Sequence, residues 1–272
     1  AWGNNNRGQS TVPNDLEGVV AVATGDKHSI ALLNNGTVRG WGFGGGPFYQ
    51  AIVPDDLEGV ISIAVGGSHN LALLSDGSIR GWGNNEQNQI TIPSNIDSAG
   101  TVIAITAGWK HSMALLDNGT VVAWGSNEFG QCNVPDDLEN VVGIASGGSN
   151  HLSFALLANG TVRAWGSNFN NQASIPNDLE NVVAIAGGYN HTLALLLDGT
   201  VRAWGSNDYN KSTVPDDLQN VVAISAGSDH SIALLFDGTI QAWGRNAAGQ
   251  VSIPDNLDQV ATIYCDDEGT LI

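Results

Sequence analysis

Residues Asp198 to Gly205 read DGTVRAWG: a two-residue turn, a short alternating strand, then Trp-Gly. Asp-Gly supplies the positive φ that a tight hairpin turn demands. The Trp-Gly pair recurs at Trp2, Trp41, Trp82, Trp124, Trp165, Trp204 and Trp243, with successive spacings of 39, 41, 42, 41, 39 and 39 residues. A period near 40 residues, built of short strands and glycine turns, marks an all-β, seven-bladed β-propeller in which one repeat is one four-stranded antiparallel blade. Because such repeats bury each other's faces, residues 1–272 are expected to form one domain.

Working outward from that stretch, Asn181 to Ala186 reads as an inner strand, Gly187 to Asn190 as a turn and His191 to Leu196 as a second strand. Thr200 to Trp204 is the third, Ser206 to Lys211 a loop, and Ser212 to Val214 a short outer strand closed by Pro215. A terminating proline guards such an edge against foreign pairing. The Asn-Gly or Asp-Gly turn returns at Asn35, Asp76, Asn118, Asn159, Asp198 and Asp237, so six blades are continuous in sequence. The seventh is split. Joining Glu268 to Ile272 onto Ala1 to Gly3 gives EGTLI/AWG, which matches DGTVRAWG and predicts one blade shared by the two termini, without the glycine turn and the histidine.

The chain carries 27 Asp and Glu against 9 Lys and Arg, a net charge of −18. Phosphate backbones and anionic membrane surfaces would be repelled, which argues against nucleic acid as a partner. No apolar run approaches the ~20 residues that span a bilayer, so membrane insertion is not expected. Cys132 and Cys265 lie in separate repeats that a ring holds apart, so no disulfide is expected between them. The start on Ala1 suggests processing or trimming.

The segment Ile105 to Leu115 (ITAGWKHSMAL) has equivalents at Val22 to Leu32, Ile185 to Leu195 and Ile224 to Leu234. Together with WGxNxxGQ, as in Trp124 to Gln131, it resembles the regulator of chromosome condensation repeat over the whole chain. The short repeats, the Val-Pro at the outer strand and the period near 40 residues are most similar to the bacterial β-lactamase inhibitory protein II group, seven-bladed secreted binders of other proteins. That resemblance implies a rigid recognition disc that is not an enzyme and needs no cofactor. It also implies an extracellular or cell-surface location and a binding surface on the G-x-x-H turns and the loops after Trp-Gly.

His28, His69, His111, His151, His191 and His230 fall at one repeat position. One imidazole per blade does not converge as a metal site requires, so each is read as capping its own turn. The repeated tryptophans are read as packing anchors. No nucleophile, zinc or phosphate-loop motif stands out. The sequons at Asn35, Asn118 and Asn159 are already explained as hairpin turns.

Charge and aromatic character divide by face. In an up-and-down blade the G-x-x-H turns and post-Trp-Gly loops share one face, and the D-G turns share the other with the PDDLEN-type links. Of the 27 acids, 22 fall on the link face with no base, while the first face is balanced, with five acids against Arg7, Lys27, Lys110, Lys211 and Arg245, and collects the exposed aromatics. Its candidate partner-binding residues are Trp109, Lys110, Tyr189, Phe129, Phe169, Tyr209, Phe48 and Tyr49, since aromatics dominate interface energetics. The reading is a protein-binding module. Alternatives are a self-associating subunit of a surface assembly or fibre, and a carbohydrate-binding adhesin.

Overall fold

A computed structural model describes residues 1–147, 151–255, 257, 260–265 and 269–271. The chain forms seven antiparallel sheets. Blade 1 comprises Val19–Thr24, His28–Leu33 and Val38–Gly42; blade 2, Val60–Val65, His69–Leu74 and Ile79–Gly83; blade 3, Val102–Ala107, His111–Leu116 and Val121–Gly125. Blade 4 has Val141–Ser146, Leu152–Leu157 and Val162–Gly166; blade 5, Val182–Gly187, His191–Leu196 and Val201–Gly205; blade 6, Val221–Ala226, His230–Leu235 and Ile240–Gly244. Tyr264–Cys265, Gly269–Leu271 and Trp2–Gly3 make blade 7, so the two ends of the chain share a sheet.

The middle strands are near-continuous apolar runs because both of their faces are covered by neighbouring blades. Small and large residues alternate: Ala72, Ala114 and Ala194 are wholly buried, as are Leu71, Met113 and Leu193. Each core cluster spans two blades, as where Leu71 and Leu73 of blade 2 pack with Ile105, Ala107 and Trp124 of blade 3. Trp2, Ile232, Leu234 and Ile263 do the same between blades 6 and 7. The inner strands touch around the axis and line a cavity of about 300 Å³.

The Trp-Gly tryptophans are stitches as well as filler. Each indole Nε1–H donates to the carbonyl of the residue closing the preceding loop: Trp41 to Gln9 at 2.8 Å, Trp124 to Gln89 at 2.9 Å, Trp204 to Gln172 at 3.0 Å. Trp2 donates to Gln250 at 3.0 Å, which closes the ring. Truncating one of these buried side chains to Ala typically costs about 3–5 kcal/mol.

Each blade has three hydrogen-bonded strands, not four. Two of the N–H groups that a fourth strand would offer are taken locally: Ser212 N–H donates to Asn207 Oδ1 at 3.0 Å and Thr213 N–H to Asn210 O at 3.0 Å, while Pro215 has none. The same asparagine bond recurs from Ile90 to Asn85, Cys132 to Asn127 and Ala173 to Asn168. The WGxN asparagine therefore folds the segment into a turn and withholds it from the sheet.

The closing blade also differs from the sequence expectation. Trp2 pairs antiparallel with Thr270 and Gly3 with Gly269, as Trp41 pairs with Ser29 and Gly42 with His28. Gly269–Leu271 is therefore the middle strand and does not run on into Trp2. Gly269 occupies the histidine slot, and Leu271 and Trp2 flank the place where the other blades have the hairpin between their middle and outer strands. The join EGTLI/AWG looked continuous because Gly-Thr followed by apolar residues suits either strand. Asp258, Asp266, Asp267 and Glu268 lie outside the described residues.

Candidate functional site: the concave face

Hydrogen bonds fix which loops share a face. Ser126 N–H donates to Lys110 O (2.9 Å), Ser206 N–H to Asn190 O (2.7 Å) and Arg245 N–H to Asp229 O (2.8 Å), tying post-Trp-Gly loops to G-x-x-H turns. At the other end Asn34 N–H donates to Gly18 O (2.8 Å) and Ala158 N–H to Asn140 O (2.9 Å), tying hairpin turns to links. The link face is not free of bases, however. Arg39, Arg80, Arg163 and Arg202 reach from outer strands to Asp15, Asp56, Asp137 and Asp178 at 2.7–3.1 Å. The guanidinium of Arg80 holds the Asp56 carboxyl below its usual range, and Arg202 does the same for Asp178.

Five of the six histidines bridge blades; they do not cap their own turns. His69 Nε2 lies 3.0 Å from Ser112 Oγ, His111 Nε2 3.0 Å from Ser153 Oγ and His191 Nε2 2.9 Å from Ser231 Oγ, each hydroxyl belonging to the next blade. Ser112 in turn donates to Gln89 O at 2.7 Å, so its hydroxyl accepts from His69, which assigns the neutral Nε2–H tautomer. Burial lowers the imidazole pKa to about 3 for His69, His111 and His191 and about 4 for His28 and His230. A β-carbon on Gly188 would collide with the His191 ring, which is why glycine opens the turn.

Blade 4 breaks the pattern. It is two residues longer between Val141 and Trp165 than blade 5 between Val182 and Trp204. Leu152 pairs with Gly166 where His191 pairs with Gly205, so leucine fills the imidazole slot. His151 is displaced by one position onto the face, half-buried. It stacks on Phe129 with ring centroids 4.8 Å apart, and Phe129 meets Phe169 edge-on at 5.7 Å. Gln131 Nε2 lies 3.0 Å from His151 Nδ1. Partial burial and the nearby Lys110 lower the His151 pKa, while Glu128 opposes them.

These aromatics enter a concavity of about 1060 Å³. Trp109, Phe129, Phe169 and Tyr189 line it together with His151. Phe169 is 80 % exposed, and Phe129 and Tyr189 are also exposed. Trp109 is partly occupied within the fold, since a β-carbon on Gly67 of the preceding turn would lie 2.5 Å from its ring. Lys110, Tyr209, Phe48 and Tyr49 are not among the lining residues: Lys110, Tyr209 and Tyr49 are exposed, and Phe48 is half-buried.

Arg7, Asp26, Lys27, Asp229 and Arg245 are lining residues that the aromatic pattern did not reveal. Lys211, counted above among the surface bases, is buried; its Nζ lies 2.6 Å from Asp229 Oδ1. It stands where other repeats have glutamine, whose Oε1 accepts a local N–H, as Gln131 does from Phe129 (2.9 Å) and Gln172 from Asn170 (2.8 Å). Lysine has no acceptor to offer there. Arg245 lies 3.4 Å from the second Asp229 oxygen and 5.4 Å above the Tyr209 ring.

A ring of seven sheets with a loop-built concavity on one face defines a β-propeller of repeated units. The family model of the Regulator of chromosome condensation (RCC1) repeat matches residues 19–45, 60–89, 102–131, 141–172, 182–211 and 221–250. The chain belongs to the RCC1-repeat family. No curated protein matches it in sequence. Among solved structures it is similar to Prp20p of Saccharomyces cerevisiae, with TM-score 0.77 and 21% identity over 96% of this chain and 83% of that one. Human WBSCR16 gives TM-score 0.74 and 20% identity over 95% and 87%. The ectodomain of the Physcomitrella patens receptor kinase CR4 gives 0.72 and 24% over 89% and 65%. No helix among the described residues is long and apolar enough to cross a membrane.

Proposed function

We propose that this chain is a single-domain, non-enzymatic protein-binding module that seats a protein partner in its concave face. The observation that carries the reading is the convergence of Phe129, Phe169, Tyr189 and Trp109 on one concavity. These residues stand at positions the repeat leaves free. The residues that do repeat, namely Trp, His, Ser, Gln and Asn, are used within and between blades. Prp20p is described as binding Gsp1p and histones, so a propeller of this fold can serve as a binding disc. We further propose an extracellular or cell-surface location and an inhibitor-like mode of the β-lactamase inhibitory protein II kind, on the strength of the repeat pattern. The adhesin reading is weakened because the Asn85, Asn127, Asn168 and Asn207 side chains already bond within their loops. Assembly by strand exchange is weakened because blade 7 pairs its two ends within one chain.

The test is capture from native secretions by the wild type beside a Phe129→Ser, Phe169→Ser, Tyr189→Ser variant of equal Tm. One protein retained by the wild type and lost by the variant supports the reading. Capture that survives all three changes overturns it.

A further inference from the structure

On the opposite face every complete blade carries the same irregularity. In blade 2 the pairing passes from Val60 opposite Leu74 to Ser62 opposite Leu73, so Ile61 is extra, a β-bulge. Equivalent bulges fall at Val20, Ile103, Val142, Val183 and Val222. In five of the six blades the residue before the bulge is buried, and the bulged side chain is turned outward. The six are 46 to 59 % exposed and are all valine or isoleucine. They sit at the link-side ends of the inner strands, which pack side by side around the axis, so they form an apolar ring through six of the seven blades on that face.

Two further residues extend the ring. Leu197 and Phe236, just before the hairpin turns of blades 5 and 6, are 75 % and 84 % exposed. Leu197 N–H donates to Asn181 O and Phe236 N–H to Asn220 O, both at 2.9 Å, which ties them to the start of the inner strands that carry Val183 and Val222. Contiguous apolar surface rimmed by polar residues marks an interaction site. The rim is acidic: among the described residues the links carry fourteen Asp and Glu and the hairpin turns four Asp, against the four paired arginines.

We propose that this link face is a second docking surface, and that its occupant is a positively charged polypeptide segment with an apolar tip. The tip would cover the ring while the cationic flanks meet the rim. A second copy of this chain would bring acid against acid, and an anionic lipid surface would be repelled in the same way.

The probe is a labelled Leu/Lys amphipathic helix, compared with oligolysine of equal charge and with a Leu/Glu helix, by fluorescence anisotropy at physiological salt. The Leu/Lys helix should bind, oligolysine at least ~10-fold more weakly, and the Leu/Glu helix not at all. Ile61→Thr, Ile103→Thr, Val142→Thr and Val183→Thr preserve β-branching while removing the apolar ends, and together should weaken binding at least ~10-fold with Tm kept. Phe129→Ser, Phe169→Ser, Tyr189→Ser should leave it unchanged, which separates the two faces. If the threonine variant does not fold, amide exchange on the wild type replaces it: bound peptide should slow exchange at 197–199 and 236–238 and not in the concavity. Oligolysine binding equally well, an unaffected threonine variant, protection confined to the concavity, or a dimer abolished by the threonine changes would each overturn the proposal.

Discussion

Blades 4 and 5 both contain Gly-x-Asn-His, at residues 148–151 and 188–191, and use the histidine in opposite ways. In blade 5 the imidazole is buried, neutral and bonded to the next blade. In blade 4 two extra residues let Leu152 take that slot, and His151 joins Phe129 and Phe169 at the concavity. The strand ladder, not the short motif, decides which residue is structural. A small insertion beside a rigid repeat converts a packing residue into surface available for recognition.

The strongest way to break this comparison is acid. The five buried histidines have folded pKa values of about 3 to 4, below the unfolded value. The unfolded chain therefore binds more protons, and stability is lost as pH falls from about 6.5 toward the folded pKa values. At pH 5 each buried neutral histidine removes about 2 kcal/mol, and five together rival the whole stability of a typical protein. Thermal unfolding should show Tm dropping steeply between pH 6.5 and 4.5; a Tm flat across that range would mean the imidazoles are not buried and neutral.

Single substitutions sharpen the contrast. His191→Ala should cost about 3 kcal/mol through the cavity it leaves, whereas His151→Ala should cost under about 0.5 kcal/mol, as surface changes do. Denaturant titration of both at pH 7.5 checks the pair, and equal costs would place both rings in the core. His191→Leu copies blade 4. It should cost about 1 kcal/mol at pH 7.5, because Ser231 keeps its bond to Lys211 O. At pH 5 it should exceed the wild type in stability, since one protonation penalty of about 2 kcal/mol is removed.

Lys211→Gln is a smaller test of the same theme. It restores the repeat residue and leaves Asp229 with Arg245. Exchanging a buried ion pair for packed neutral groups is often neutral or stabilising, so the variant should hold or gain Tm, and a loss above about 2 kcal/mol would show that the ammonium is required. Smallest is the effect of salt. Screening over about 8 Å at physiological ionic strength relieves repulsion among the link acids, so Tm should rise slightly between low and high salt despite the four arginine pairs.

The blade count, the turn positions and the sharing of the seventh blade by both termini were legible because they rest on strict repetition of Trp-Gly and Asn-Gly or Asp-Gly. The division into two faces was legible too, because up-and-down connectivity dictates it. The candidate aromatics stood out as departures from the repeat. Yet sequence reading placed His151 with the other histidines, put Lys211 on the surface, gave each blade a fourth strand and ran residue 272 on into residue 1.

The sequence by itself determined the period, the chemistry available at each turn and the net charge, because these follow from residue identity and local backbone preference. Only the tertiary structure decided the register of Thr270 against Trp2, the exchange of Leu152 for histidine, the burial of Lys211 and the outward turn of six bulged side chains. Each of these depends on which residue of a neighbouring strand or blade lies opposite. A one-residue shift changes which face a side chain reaches while leaving the local sequence pattern the same.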